Sequence, residues 1–500
     1  MSDRAVAQLT EAILERDPVR TTDLFFQMVR REGRSLPNAL AAVTKAEAPF
    51  VNVPCHVNVR DGSIALVNND HTILGLRTSV ALRPFVPPGH ELLPLLQSVW
   101  YIPAGLDIWN QLLGKYPGRY ATMKGMNVPP PSYGPVVWQQ EQEPIVEEGT
   151  LQERLHQHMI ATMTGDARRA HGLFLGIAQE PSSRAALRDH LLFLGLIDLQ
   201  DTIIGRKARN TGHKALRARA VADLTEFIGW DQAQGVHYMG VPDMAVGPLY
   251  YSLYDAACVV LAAEFPADVG KGLTANQGVL KPGEVEELIA LVTTATQDEV
   301  WGRLTALLRA GVSVRSIGDT LQIAAAELIL RTTVPRQFTD AQHAFDYCNV
   351  ANYWLRSTAS PYQARVLYLM ANFINDAARA NKLLSPVPFA EVTGAVSLEA
   401  LDEAILAFDI PRATALARAW LASGGDRAAY QAAVAVTACK FQDDPHNQKI
   451  THSSFEEYSH NSTHLRDRLL IAPVRLLAGW PKMPGERECF ARWEKEWARG

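Results

Sequence analysis

The feature that most constrains this chain is an unbroken succession of helix-period segments running from Leu151 to the C-terminus. Apolar residues recur there at three- and four-residue intervals, the pattern of helices with one buried stripe. The spacing predicts helices over about 151–163, 167–179, 183–203, 212–228, 247–264, 283–296, 298–310, 315–332, 340–356, 360–380, 397–407, 410–423, 426–441, 450–479 and 484–498. The 450–479 segment is expected to break at Pro473. Between the segments stand Gly235 to Pro242, Lys281-Pro282-Gly283, Pro335, Pro361, Pro386 with Pro388, and Gly424-Gly425, which are helix stop signals. Short breaks between helices favour antiparallel neighbours, so the expected fold is mainly α, a multi-helical bundle or array. No fixed repeat period is visible.

The first 150 residues read differently. Helices are expected over Ala5 to Leu14 and about Thr21 to Arg31, with Gly33 and Pro37 breaking the pattern. Residues 49 to 80 are rich in Val and Ile around Asp61-Gly62, which predicts one small β-hairpin. From Arg83 to Glu148 the chain is rich in Pro, Gly and aromatics, including Trp100, Trp109 and Trp138. Disordered linkers are poor in aromatics, so this stretch is expected to be an ordered irregular segment wrapping the helical body. The division is therefore 1–150 as N-terminal helices, a β-hairpin and an aromatic- and Pro-rich wrapping segment, and 151–500 as a helical body containing the site.

The chain has 500 residues, 47% of them hydrophobic, ample for a large core, and its net charge is −5 with signs interspersed. Without a basic patch, no nucleic-acid partner is expected. Without a long uninterrupted apolar run, no membrane span is expected. The five cysteines, Cys55, Cys258, Cys348, Cys439 and Cys489, are far apart and form no Cys-x-x-Cys pair. That spacing argues against structural zinc, iron–sulfur clusters and a dithiol motif, and fits a reducing cytoplasm. Phosphate-loop, dinucleotide-binding, nucleophile-elbow and zinc-protease motifs are not found.

The chemistry is expected at the histidines. On a helix, His452, Glu456, His460 and His464 form one i, i+4 stripe, and Glu457 with His460 makes a Glu-x-x-His pair of the kind carboxylate-bridged metal bundles use. The alternative is a solvated polar face. Glu153 and His156 form a similar pair, read as a surface feature. Asp319 and Glu327 are almost alone in an apolar helix, where a charge needs a partner. His343, Asp346, Asn349 and Asn352 form a polar ridge through Phe345, Tyr347 and Trp354 on the next helix. His213 follows Gly212 at a helix start, and His237 is placed on a Gly/Pro-rich loop.

Three strings, GHKALRARAVADLTEFIGW, DTLQIAAAELILR and QHAFDYCNVANYWLR, resemble an uncharacterised family of helical bacterial proteins, with a more distant similarity to questin-oxidase-like proteins. The resemblance covers about 190–380. It implies oxygen-dependent cleavage of aromatic rings and association with Rieske-type iron–sulfur partners. By position it points to His213, Glu327, His343 and Asn349, with His452 or His460 behind them. Asp231-Gln232 and Asn352 depart from the family pattern.

Together these readings give a metal-dependent oxidoreductase acting on an apolar or aromatic small molecule. His213, Glu327, His343, His452, His460 and His464 are its candidate ligands, iron its metal, and Asp346 and Asn349 its supporting catalytic residues. Electrons would come from an external electron-transfer protein. A non-enzymatic helical binding or scaffold protein, and a hydrolase or lyase with zinc in the same ligands, are the alternatives.

Overall fold

The computed structural model describes residues 3–56, 64–68, 71–114, 143–199, 212–245, 251–392, 394–441, 445–480, 482 and 487–498. The fold is mainly α. Helices α1 (Asp3–Leu14), α2 (Pro18–Arg30) and α3 (Leu36–Val51) open it, and strands β1 (Asn52–His56) and β2 (Ile64–Asn68) pair antiparallel, Asn52 opposite Asn68. Asp61-Gly62 lies outside the described residues. Then come α4 (His71–Leu82), α5 (Leu93–Gly114), α6 (Leu151–Met163), α7 (Ala167–Ala178), α8 (Arg184–Ile197), α9 (His213–Ile228) and α10 (Gln234–Gly240). The body continues with α11 (Ser252–Glu264), α12 (Pro282–Thr294), α13 (Gln297–Arg309), α14 (Val314–Leu330), α15 (Phe338–Ser357) and α16 (Gln363–Ala380). It closes with α17 (Leu398–Leu406), α18 (Ile410–Ala422), α19 (Arg427–Ala438), α20 (His446–His460), α21 (Asp467–Gly479) and α22 (Glu488–Arg492).

Helix starts follow side-chain chemistry. Asp17, Asp166, Asp409 and Asp426 accept hydrogen bonds from the first-turn N–H groups of α2, α7, α18 and α19. Thr150 with Glu153 and Thr296 with Glu299 are capping boxes for α6 and α13. Glu153 is thus the helix-start surface residue its sequence neighbourhood predicts.

Four expectations are corrected. Leu36–Val51 is helical because Pro37 falls in the first turn, where its missing N–H costs no bond. Leu93–Gly114 is a helix carrying Pro103, where irregular chain was expected, and 115–142 lies outside the described residues. The C-terminal break comes at 461–466, not at Pro473, which sits inside α21. The cause is Asp319, whose Oδ2 accepts from the Ser462 N–H at 3.0 Å and the Ser462 hydroxyl at 2.7 Å, while its carbonyl accepts from Asn461. Finally, His237 lies buried on α10 rather than on a loop.

One apolar cluster joins the range 1–150 to the range 151–500, from Leu9, Phe25 and Leu40 to Leu321, Leu367 and Leu470. At its centre every residue of α14 except Arg315 is buried, flanked by α15 and α16. Each fully buried Leu, Ile or Phe there contributes roughly 1.5–3 kcal/mol. Among the described residues, no helix is long and apolar enough to cross a membrane.

Candidate functional site: a ring of histidines

Two of the expected histidines meet. His213 opens α9 and His343 sits on α15, and their Nε2 atoms are 2.9 Å apart. Two others complete the group: His71, the first residue of α4, and His446, the first residue of α20. The four rings form a closed circuit. Centroid separations are 5.3 Å for His71–His213, 4.9 Å for His213–His343, 5.8 Å for His343–His446 and 5.1 Å for His446–His71. His343 and His446 are buried and the other two half-buried. Trp480 packs against His446 at 4.6 Å.

Local sequence explains the convergence. Gly212 adopts φ +63° at the start of α9, and a Cβ there would meet Phe373 at 3.0 Å and Tyr347 at 3.1 Å. Only glycine lets the chain pass this close in that conformation. The next residue after His213, Lys214, is anchored by Asp198 at the C-terminal end of α8, Nζ to Oδ2 2.7 Å, both side chains 1% exposed. Three of the four histidines stand at helix N-termini, whose positive end disfavours an imidazolium. Burial, then the neighbouring His213, Lys449, His446 and His71, hold the His343 pKa well below its usual value. A neutral imidazole is the form that ligates metals.

Asp346, one turn along α15 from His343, lies 3.3 Å from Lys449 Nζ, one turn along α20 from His446. Burial pushes the Asp346 carboxyl up, with Lys449 and Ser453 acting against that. Asn349 is one turn further and donates to Glu456 at 2.8 Å and Glu457 at 2.9 Å. His452 is buried and meets Arg77 through Nδ1 at 3.3 Å. Both belong to a layer below the ring.

The remaining expected ligands lie elsewhere. Glu327 is held by Arg468 at 2.7 Å, with Arg331 at 3.8 Å. His460 ends α20 on the exposed surface. His464 lies beyond α20 and pairs with Glu286 at 3.3 Å. The four-residue stripe therefore splits: His452 and Glu456 face inward, and the helix stops before His464. Glu457 is buried between Arg356, Asn349 and Asn352, so it and His460 do not form a metal half-site.

A second group of histidines occupies the α6–α10 region. His158 and His190 rings are 5.3 Å apart, and His237 and His158 pack against Phe174 at 5.1 and 6.2 Å. Among the described residues, both ring nitrogens of His158 and His171, Nε2 of His190 and Nδ1 of His237 are buried without a hydrogen bond. His237 Nε2 meets the Thr225 hydroxyl at 3.1 Å.

Among the described residues, no three His, Cys, Asp or Glu side chains are grouped so as to hold a metal ion. No protein-family model matches the chain, and neither the curated proteins nor the solved structures give a match.

Proposed function

We propose that this chain is a metal-dependent oxidoreductase, with iron held by His71, His213, His343 and His446, acting on an apolar or aromatic small molecule. The observation that carries the reading is the closed circuit of four imidazoles. A metal about 2.1 Å from each ring nitrogen lies roughly 3.2 Å from each ring centroid, so neighbouring centroids fall about 4.5 Å apart at right angles and about 5.2 Å apart at the tetrahedral angle. His213–His343 at 4.9 Å and His446–His71 at 5.1 Å fall in that range, and His71–His213 at 5.3 Å and His343–His446 at 5.8 Å lie beyond it. The His213–His343 nitrogen separation of 2.9 Å is that of an imidazole–imidazole hydrogen bond and aims both Nε2 atoms at one point, and imidazole ligands suit iron as well as zinc.

His71, His213, His343 and His446 would hold the iron, which when bound would supply oxygen-dependent redox chemistry. Trp480 beside His446 offers an aromatic wall for an apolar ring. The dispersed cysteines supply no electron-carrier motif, so electrons would come from an external electron-transfer protein.

Elemental analysis of protein purified without a metal-affinity tag tests the reading. About one iron per chain, lost in folded His343→Ala and His71→Ala variants, is expected. Zinc in the same stoichiometry would replace the oxidoreductase with a hydrolase or lyase. No metal above background, in wild type refolded with iron, would leave a binding or scaffold role.

A further inference from the structure

The four helices that carry the ring repeat one spacing. Six residues after His71 comes Arg77, after His213 Arg219, after His343 Asn349, and after His446 His452. Six residues advance a helix by about 9 Å. The four lower residues are joined directly or through Asp223 and Glu456, so the helices run in one direction past each other and share two polar levels.

The lower level is a closed network. Asp223, one turn on from Arg219, accepts from Arg77 Nε at 2.8 Å and from Arg219 Nε at 2.7 Å, joining α4 to α9. Glu456 accepts from Arg219 Nη2 at 2.8 Å and from Asn349 Nδ2 at 2.8 Å, joining α9, α20 and α15. Arg77 Nη1 reaches His452 Nδ1 at 3.3 Å and closes α4 onto α20. A guanidinium only donates, so His452 Nδ1 accepts and its proton sits on Nε2. Two guanidinium and two carboxylate charges balance within the layer. Asp346 with Lys449 ties α15 to α20 between the levels.

Apolar packing alone tolerates a small slide or rotation of one helix against another. This network does not, because any slip leaves a buried charge without its partner. We infer that Arg77, Asp223, Arg219, Glu456, Asn349 and His452 form a positioning layer that fixes the axial level and rotation of the four helices, and so the geometry of the histidine ring above. The inference rests on reading that ring as a metal centre.

The test compares Asp223→Asn, Glu456→Gln and Asp223→Glu with a remote control, Asp402→Asn, which weakens the Asp402–Lys440 pair between α17 and the end of α19. Ferrous iron affinity is read by chelator competition alongside the melting temperature. Residues hydrogen-bonded directly to metal ligands change affinity 10–100-fold, and this layer, one level below the ring, is set at the lower end of that range. The layer predicts at least tenfold weaker iron binding in Asp223→Asn and Glu456→Gln than in the control at matched loss of melting temperature, with partial recovery in Asp223→Glu. Affinity that follows melting temperature as it does in the control overturns the inference. If wild type binds no iron, the metal reading fails and the ring is read directly, by nitrogen NMR of ¹⁵N-histidine-labelled protein. Shifted His213 and His343 resonances in Asp223→Asn then support the positioning role, and unmoved ones overturn it.

Discussion

His213 and His343 are 130 residues apart in the chain, yet their Nε2 atoms stand 2.9 Å from each other. The contact depends on how α9 begins. Gly212 holds φ +63°, which costs an alanine roughly 1–2 kcal/mol, and an added Cβ would press on Phe373 and Tyr347. Gly212→Ala is expected to lower stability by at least that amount and to weaken metal binding. Gly229, at the other end of α9 with φ +96° and open space around its Cβ position, is the control. Gly229→Ala should cost stability only. Urea unfolding with iron titration distinguishes the two; equal metal affinity in both variants would contradict the account.

Lys214 and Asp198 form a fully buried ion pair beside the same helix start. Removing Asp198 takes the carboxylate from the buried Lys214 ammonium, which costs about 3–5 kcal/mol, whereas replacing both by apolar residues is far milder. Asp198→Leu should therefore destabilise strongly, and Lys214→Met with Asp198→Leu should recover most of the loss. A double variant no more stable than the single one in urea would count against this description of the pair.

Glu47 on α3 is fully buried, and burial pushes its carboxyl up to about 8, with Thr72 acting weakly against that. Below its ordinary value of 4.5 the group is neutral in both states and folding is not penalised. Between there and about 8 the unfolded chain ionises while the native state does not, so stability falls as pH rises. Glu47→Gln should be close to neutral at pH 4.5 and stabilising by a few kcal/mol at pH 8.5, order of magnitude. A gain independent of pH in chemical denaturation would refute this.

The second histidine group makes the opposite prediction at low pH. Burial lowers His171 and His237 to about 3 and His190 to about 4, and His158 well below its usual value. The unfolded chain takes up these protons as pH falls through about 6.5, while the native state stays neutral until much lower pH. Stability is therefore full above 6.5 and is lost between there and about 4, each histidine contributing up to about 1.4 kcal/mol per pH unit. His171→Leu should flatten the decline of the urea midpoint between pH 6.5 and 4.5. A slope equal to that of wild type would show that His171 is not held neutral.

Most of the helical body was legible because its signals are local. Apolar period, Pro and Gly breaks, and capping residues such as Thr296 and Ser397 place α12 to α19 within a few residues. The failures have physical causes that lie outside the local pattern. The break after His460 is set by Asp319, more than 140 residues away. His237 looked exposed because Gly235 and Gly240 read as loop residues. They serve close packing instead: a Cβ at Gly235 would meet the Thr44 backbone at 2.6 Å, and one at Gly240 would meet Val221 at 2.1 Å. In the site, His213 and His343 were visible from their polar setting. His71 and His446 were not singled out, because a histidine opening a helix gives no periodic signal and its partners come from other helices. The dense stripe at His452, Glu456, His460 and His464 drew attention through spacing alone, and spacing cannot say which face turns inward. The six-residue offset shared by four separate helices is a signal in the sequence, but only the fold says which four helices to compare.

X-ray absorption at the iron edge of the metal-loaded protein tests the central claim most directly. Imidazole rings give outer-shell scattering that can be counted. The account predicts an iron with four imidazole ligands in the wild type and one fewer in each of His71→Ala, His213→Ala, His343→Ala and His446→Ala. An iron with two or fewer imidazoles, or a spectrum unchanged by these substitutions, would contradict it.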